Sequence, residues 1–405
     1  MQFADRLKPL QFNVFAAMDR AKAAAAETHE IVDLSLGSVD LPTSPHVLAA
    51  IGEALQDPST HGYQLFRNTA AFRQAVADRY ERQFGLAIDP ETEVLALIGS
   101  QEGTAHLPLA VLNPGDVALL GDPGYPSHYG GVHLAGGEVY PMPLLAQHGY
   151  LPQFDQIPAA VVDRARLMVL NYPHNPTTAV ANLDFFRRAV AFCQQHGIVL
   201  IHDFAYDGMA FGDRPPSVLQ ADPDKTVSIE FFTLSKAFNM GGFRAGYAIG
   251  NRDLIAALRS VKAAVDFNQY QGIFRGAIAA LQGPQADVQE RLEIFRDRRD
   301  AFVAAMNRIG WPLETPQATM FAWAKLPPPW ENQSIEFCKQ LVAATGIAVA
   351  PGVGFGPSGE GYVRFALVQT PEQLAHSVDR IATFLQTGLP ADHKGQGLLS
   401  LPGIQ

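Results

Sequence analysis

Between Glu93 and Gly250 the chain repeats one pattern, in which short apolar runs end at Gly, Pro, Asp or Asn and alternate with helical periodicity. Seven runs follow one another: VLALIG, VALLGD, EVYPM, LMVLNYP, IVLIHD, VSIEFFTLS and FRAGYAIG. Runs that are apolar on both faces and separated by helices indicate a mostly parallel sheet between two layers of helices. The pattern therefore predicts an α/β domain with a seven-stranded sheet.

The rest of the chain predicts a smaller α+β unit. A length of 405 residues is enough for two or three domains. A long charged helical pattern at 284–308 leads to the apolar runs MFAWAKL, IAVAP and YVRFALV, which lie among helical stretches. We predict an N-terminal arm with part of the small domain at 1–45, a large domain at 46–290, a small C-terminal domain at 291–390 and a tail at 391–405.

Composition and charge exclude several classes of function. The net charge of −10, without a basic face, argues against nucleic-acid binding. No apolar run is as long as a membrane span, and the N-terminus lacks a signal-peptide core, so we expect a cytoplasmic protein that does not bind membranes. The 12 histidines and 2 cysteines show neither HExxH nor CxxC spacing, so we expect no metal site.

Polar and aromatic residues follow several of the predicted strands. Parallel α/β sheets bind ligands at the carboxyl ends of their strands, so residues at these ends would meet around one ligand. The segments concerned are Gly99–Gly103, the turn with Tyr125, the turn with Asn175, Asp203 with Tyr206, and Thr233–Lys236.

Each of these residues also has a structural interpretation. Ser100 lies at a helix start, where N–H groups and the helix dipole attract an anion, but it could equally be an N-cap. Asp203 ends an apolar strand and needs a partner such as a pyridinium N–H, unless it caps the next turn. Lys236 follows a buried strand, where a lowered pKa would favour a Schiff base, although a solvated lysine is the alternative.

Two arginines lie in predicted strands beside small residues. In FRAGYAIG, strand alternation puts Arg244 on one face with Gly246 and Ala248, and in YVRFALV it puts Arg364 with Ala366. Small neighbours leave room for an anion beside a guanidinium, so we predict that both arginines bind anions in a bidentate manner. Ion pairs with Asp or Glu remain the alternative.

Several short motifs together resemble the class I/II aminotransferases of fold type I, which depend on pyridoxal 5'-phosphate (PLP). The segments LSLGSVDLP, PGYPSHYGG, NYPHNPT, HDFAY, TLSKAFNMGGFRAGY and GYVRFALV occur in the family's order, and the resemblance extends over about residues 31–387. GSQEGTAHLPLAVLNPGD looks most like the subgroup that contains LL-diaminopimelate and alanine-type aminotransferases. The resemblance implies ping-pong transfer of an amino group from an L-amino acid to a 2-oxo acid such as 2-oxoglutarate. It also implies a homodimer with shared active sites.

The resemblance implies a role for each residue around the cofactor ring. Lys236 matches the Schiff-base lysine, which also moves the proton of the substrate Cα. Asp203 matches the acid paired with the pyridine nitrogen, and Tyr125 matches the aromatic residue that stacks on the ring. Tyr206 and Asn175 match the residues that lie beside the ring oxygen O3'.

The remaining carried-over residues concern the cofactor phosphate and the substrate. The residues of this chain that match the family's phosphate site are Ser100, Gln101, Thr233, Ser235 and Arg244. Tyr63 matches a tyrosine that reaches the phosphate of the neighbouring subunit. The residues that match the substrate site are Gly37, Asn175 and Arg364.

Some positions depart from the family pattern, and some questions stay open. Gln101 stands where lysine is common in the subgroup, which bears on the phosphate loop or on the distal substrate contact. The donor is open among LL-diaminopimelate, alanine, aspartate and glutamate, and Arg67 is a candidate reader of a second carboxylate. Another fold type I PLP enzyme (a lyase or synthase) is one alternative function. A non-catalytic aminotransferase-like regulatory domain is a second, weaker one, because no DNA-binding extension is evident.

Overall fold

In this computed structural model the described residues are 3–8, 10 and 14–387, and the predicted tail at 391–405 lies outside them. Within these residues the α-helices are α1 Val14–Ala25, α2 Pro45–Gln56, α3 Ala70–Phe84, α4 Ser100–Val111, α5 Pro126–Ala135, α6 Ala159–Val162, α7 Leu183–His196, α8 Arg252–Val265, α9 Gln271–Gln282, α10 Ala286–Arg308, α11 Ser334–Thr345 and α12 Pro371–Thr387. No helix in this part of the chain is long and apolar enough to cross a membrane.

The strands alternate with these helices through the middle of the chain. They are β1 Val32–Asp33, β2 Val94–Leu97, β3 Val117–Asp122, β4 Glu138–Pro143, β5 Ala165–Asn171, β6 Val199–Asp203, β7 Ser228–Thr233, β8 Gly246–Gly250, β9 Phe321–Lys325, β10 Ile347–Ala348, β11 Ala350–Pro351 and β12 Tyr362–Ala366. Strands β2 to β8 correspond to the seven apolar runs.

Strands β2 to β8 form one sheet with the order β2-β8-β7-β6-β5-β3-β4. Neighbouring strands from β4 through β3, β5 and β6 to β7 are parallel, whereas β8 is antiparallel to both β7 and β2. The prediction of a mostly parallel seven-stranded sheet is therefore confirmed. The parallel strands bring their carboxyl ends to one edge of the sheet.

Apolar side chains form a core on each face of the large sheet. Phe231 and Phe232 follow one another on β7 and enter opposite cores, because successive side chains of a strand alternate. Phe232 shares its core with side chains of α3 and α7 such as Phe185, and Phe231 shares the other core with side chains of α4 and α5 such as Leu107. Burying each such side chain stabilises the fold by roughly 1.5–3 kcal/mol.

The smaller unit has a core of its own. In this unit β11, β12 and β9 form an antiparallel sheet and β1 pairs with β10. Met18 of α1 packs in this core with side chains of α10, α11 and α12. Helix α10 belongs to both cores, since Phe295 lies in the large one and Phe302 in the small one. The separate cores support the division into domains at 290 and 291, which falls within α10 and remains a prediction.

Arg244 does not lie in a strand, so the strand-alternation argument for it was wrong. A 3-10 turn at Gly241–Phe243 precedes β8, which begins only at Gly246. Arg244 itself adopts the left-handed conformation with φ 54° and ψ 53°, and its Nη1 donates to the carbonyl of Gly241 at 3.0 Å. Turn geometry, rather than the pleat of a sheet, therefore directs this guanidinium.

Candidate active site

A cavity of about 520 Å³ lies at the carboxyl ends of β5, β6 and β7, between the large sheet and the small unit. Its lining includes every residue predicted for the site except Tyr63 and the candidate carboxylate reader Arg67, which is exposed. These residues are Gly37, Ser100, Gln101, Tyr125, Asn175, Asp203, Tyr206, Thr233, Ser235, Lys236, Arg244 and Arg364. The sequence-based convergence of strand ends on one ligand site therefore agrees with the geometry.

Tyr63 lies away from this cavity on the surface of the chain. Its side chain is 93% exposed, which is a high value for a tyrosine. The role expected for it involves the cofactor of a neighbouring subunit. That role remains a prediction.

Lys236 lies just past the end of β7 and reaches into the cavity. Its Nζ donates to the carbonyl of Gly37 at 2.6 Å. Burial and, after it, the nearby Arg364 and Arg244 guanidinium groups lower the pKa of Lys236 to about 8, while Asp203 acts in the opposite direction. The amine can thus lose its proton close to neutral pH, as a nucleophile or base must.

A glycine is required at position 37 for this close approach. A Cβ there would lie 2.6 Å from the ring of Phe321, so any side chain would displace the segment. The Gly37 carbonyl is the partner that holds the Lys236 amine in the cavity.

Asp203 is the last residue of β6, and its carboxylate is only half satisfied. Oδ2 accepts from His128 Nε2 at 2.9 Å. Oδ1 is buried and has no hydrogen-bond partner among the residues that the structure describes. Because buried carboxylate oxygens are nearly always hydrogen-bonded, the free oxygen calls for a donor on a ligand.

The start of α4 and the Arg244 guanidinium form an anion site. Gly99 precedes the helix with φ 77°, and Ser100 is its first residue. A Cβ at Gly99 would lie 2.5 Å from Arg244 Nη2, so the guanidinium packs against the backbone of this turn. Unpaired N–H groups at a helix N-terminus and a guanidinium together suit a phosphate group. Two hydroxyl groups also line the cavity, and Thr233 Oγ1 donates to Ser235 Oγ at 2.8 Å.

Arg364 lies on β12, as predicted, and is buried at the opposite side of the cavity. Its Nη1 donates to Asn175 Oδ1 at 2.8 Å and its Nη2 donates to the Ser35 carbonyl at 2.7 Å. The rings of Phe321 and Phe355 both lie against the guanidinium, with centroids 4.2 and 4.6 Å from Cζ. Burial lowers the pKa of Arg364 to about 10, so the group stays charged at neutral pH. Because two rings lie against the guanidinium and both Nη atoms already donate hydrogen bonds, an anion would approach at its edge.

Tyr206 and Tyr125 complete the lining around the lysine. Tyr206 is buried, and burial raises the pKa of its hydroxyl above the ordinary value, so the hydroxyl remains a donor at neutral pH. Its ring meets that of Phe321 edge-on at 5.8 Å. The Tyr125 ring lies 5.6 Å from the imidazole of His128 at an interplanar angle of 83°.

Sequence reasoning missed several residues of the site. Asn171 ends β5 in the same way as Asp203 ends β6, and its Nδ2 donates to the Asp203 carbonyl at 2.7 Å. That strand-end position was a usable signal. His128 lies three residues after Tyr125 on the first turn of α5, which is the spacing of one helix face. Nothing local to the sequence marked the aromatic rings around Arg364.

The large sheet, with a candidate ligand site at the carboxyl ends of its parallel strands, defines an α/β protein of the kind that binds ligands at strand ends. The family model described as aminotransferase class I and II matches residues 29–381. The chain therefore belongs to this family and is a PLP-dependent aminotransferase. The expectations for family, fold, cofactor and type of enzyme are confirmed.

Individual relatives cover nearly the whole chain. An LL-diaminopimelate aminotransferase of Syntrophobacter fumaroxidans is 43% identical over 380 residues, which are 93% of this chain and 97% of the relative. The solved structure of substrate-bound BacF from Bacillus subtilis is 40% identical, with a TM-score of 0.88, and covers 91% of this chain and 94% of that one. A probable N-succinyldiaminopimelate aminotransferase from Thermus thermophilus is 40% identical, with a TM-score of 0.87, and covers 91% and 99%.

The residues of the cavity fit PLP. The unpaired Oδ1 of Asp203 is the acceptor that a protonated pyridine nitrogen requires. The α4 N-terminus with Arg244 suits its phosphate, and the buried amine of Lys236 suits its aldehyde. The lining groups thus suit PLP at its pyridine nitrogen, at its phosphate and at its aldehyde carbon.

Proposed function

We propose that this chain uses PLP to transfer the amino group of an L-α-amino acid to a 2-oxo acid, with the residue roles predicted above. The observation that carries this proposal is that Lys236 and Arg364 line one cavity with the half-satisfied carboxylate of Asp203. When bound, PLP supplies an aldehyde that condenses with amines and a ring that stabilises negative charge at the substrate Cα.

Lys236 would hold the cofactor covalently and then act as the base. When its Nζ is not bonded to the cofactor, Lys236 would take the proton from the substrate Cα and return it to a different carbon. A pKa near 8 suits both directions of this transfer, because proton transfer is efficient when the pKa lies near the working pH.

Asp203 would keep the cofactor ring protonated through Oδ1, while His128 holds Oδ2. Asn175 accepts from Arg364 through its Oδ1, so its Nδ2 is left to donate to the ring oxygen O3', together with the Tyr206 hydroxyl. Tyr125 would cover the ring. The groups that would hold the phosphate are those of Ser100, Gln101, Thr233, Ser235 and Arg244.

Arg364 would bind the substrate α-carboxylate at its free edge, with Gly37 and Asn175 beside it. A fixed carboxylate leaves the Cα–H bond as the one to be broken. This arrangement supports transamination over decarboxylation.

The donor and acceptor are proposed from the relatives and from the sequence. Relatives named for LL-diaminopimelate and N-succinyldiaminopimelate support a diaminopimelate-type donor, and alanine, aspartate and glutamate remain candidates. The proposed acceptor is 2-oxoglutarate or a similar 2-oxo acid. Arg67 would read a second carboxylate if the donor carries one.

The proposal includes a cytoplasmic homodimer with shared active sites. The exposure of Tyr63 at 93%, with the nearby Leu65 also exposed, supports a surface that another subunit covers. In such a dimer Tyr63 would reach the cofactor phosphate of the partner subunit.

Stoichiometry tests the proposed reaction. Holoenzyme given one amino acid and no acceptor should release about one 2-oxo acid per active site and stop, because the amino group stays on the enzyme until an acceptor removes it. Adding a 2-oxo acid should restart turnover. Lys236→Ala should abolish the release, whereas Lys339→Ala, a change at an exposed lysine of α11, should not. Continuous turnover without an acceptor would indicate a lyase. Full activity of Lys236→Ala would exclude both the aminotransferase and the lyase function.

A further inference from the structure

We propose that the preferred donor is an L-amino acid with a large apolar side chain, in particular an aromatic one, and that Phe15 and Phe355 form the wall that this side chain contacts. The inference rests on the proposed function and replaces the diaminopimelate-type donor that the relatives suggest with another substrate class for the same site.

The position of Arg364 directs the substrate side chain toward this wall. The Phe355 ring lies against the guanidinium at 4.6 Å, so a carboxylate bound at the edge of Arg364 lies beside that ring. The ring of Phe15, the second residue of α1, meets Phe355 edge-on at 5.6 Å and 75°. Both rings line the cavity. In the proposed function the cofactor occupies the part of the cavity that Lys236 and Arg244 line. The substrate side chain would therefore lie in the part that Phe15 lines.

The wall is held in place by further aromatic contacts. Phe355 is 2% exposed, and Trp323 packs edge-on behind it at 6.1 Å. Trp323 in turn stacks on Tyr362 with centroids 5.1 Å apart and an interplanar angle of 4°. A surface fixed before the ligand arrives loses little freedom on binding, which favours a rigid apolar ligand.

The charged groups of the cavity are already used. Among the lining residues that the structure describes, those with formal charges are Asp203, Lys236, Arg244 and Arg364, and each has a role toward cofactor or α-carboxylate. Within the part of the cavity that this chain lines, which does not include Arg67, a second carboxylate would meet neutral groups such as Gln101 and Ser127. Placing an ionised carboxylate against neutral, partly desolvated groups without a nearby cation is costly.

Binding of unreactive carboxylates tests the proposal without catalysis. Holoenzyme is titrated calorimetrically with 3-phenylpropanoate and with glutarate, which share one carboxylate and differ at the far end. We expect 3-phenylpropanoate to bind at least about tenfold more tightly than glutarate. The phenyl group of the former would contact the aromatic wall, whereas the second carboxylate of glutarate would lie there without a cation. Tighter binding of glutarate would overturn the proposal.

Variants of Phe15 locate the effect. Phe15→Ala should weaken 3-phenylpropanoate about tenfold and change glutarate less than about twofold, and Phe15→Leu, a milder change, should weaken the former about threefold. Phe15→Arg should reverse the order in favour of glutarate. Phe192→Ala, a change at a half-buried ring of α7 outside the cavity, should affect neither ligand. Unchanged 3-phenylpropanoate affinity in Phe15→Ala and Phe15→Leu would contradict the assigned wall.

Single-turnover rates separate this inference from the proposed function. L-phenylalanine should release its 2-oxo acid faster than L-aspartate or LL-diaminopimelate. If no amino acid releases a 2-oxo acid, the proposed function fails, while the binding order of the two carboxylates still decides the inference. If transamination proceeds but aspartate or LL-diaminopimelate is the faster donor, the inference alone is refuted.

Discussion

Lys262 is buried beneath the predicted phosphate site, and its removal should leave a carboxylate uncompensated. Its side chain is 0% exposed, and Nζ lies 2.7 Å from Glu102 Oε1 and 3.3 Å from Asp266 Oδ1. Glu102, with a side chain 4% exposed, also accepts from the N–H of Ile98. The pair thus joins α8 to the first turn of α4.

The magnitude follows from the burial of the pair. Breaking a buried pair by removing one partner costs about 3–5 kcal/mol, because the remaining charge has lost its counterion. Lys262→Met keeps the chain length and apolar contacts but leaves the Glu102 carboxylate alone, so the free energy of unfolding should fall by about that amount at neutral pH. In the double variant Glu102→Gln with Lys262→Met neither buried charge of the pair remains and only the partly exposed Asp266 is left, so we expect at least about half of the loss to be restored.

The loss should depend on pH with a defined sign. Burial already raises the pKa of Glu102, although Lys262 opposes this, and removing the lysine raises the pKa further. A carboxyl whose pKa is raised by folding binds its proton more tightly in the folded state, so the folded protein loses stability as the pH rises from the unfolded pKa through the folded one. The deficit of Lys262→Met should therefore be smaller at pH 5 than at pH 8.

Urea unfolding followed by tryptophan fluorescence measures these differences. Lys339→Met, at an exposed position of α11, is the matched control and should change the free energy by no more than about 0.5 kcal/mol. If the double variant is as unstable as Lys262→Met, or if the deficit is equal at pH 5 and pH 8, the uncompensated carboxylate is not the cause.

Two further predictions concern the cofactor. Because only the neutral amine reacts and the pKa of Lys236 is about 8, covalent capture of PLP by apoenzyme should rise about tenfold per pH unit up to pH 8 and then level off in stopped-flow experiments; a rise that continues to pH 10 would indicate an ordinary lysine. Gly99→Ala should weaken PLP binding at least about tenfold in equilibrium dialysis, because its Cβ would lie 2.5 Å from Arg244 Nη2 at φ 77°. Gly52→Ala, where the added Cβ meets no atom within 4 Å outside its own stretch of α2, is the control, and equal losses in both variants would refute the reasoning.

The large sheet and the strand-end residues could be predicted because their signals are local. Burial on both faces makes β2 wholly apolar, and parallel strands bring their ends together wherever the chain places them in the order. Asp203 and Lys236 were therefore found from their positions after apolar runs. The same logic applied to Asn171, which was overlooked.

The rest of the site depends on contacts that no local pattern contains. Arg244 was assigned to a strand because its neighbours read as one, whereas the Gly241–Phe243 turn delays the strand to Gly246. Phe15 and Phe355 are separated by hundreds of residues and meet only because the small unit packs α1 against its sheet. The role predicted for Tyr63 involves a second chain, so contacts within one chain do not test it.

Helix α10 gives the active site a mechanical property. The small unit carries Arg364 and the large one carries Lys236, while α10, with 23 residues, is anchored in both cores. Such a helix is about 35 Å long, so a tilt of five degrees about its middle moves either end by about 1.5 Å. A misplacement of about 1 Å in a reacting pair can lower a rate about a hundredfold. The stiffness of α10 should therefore contribute to how accurately Arg364 is held relative to Lys236.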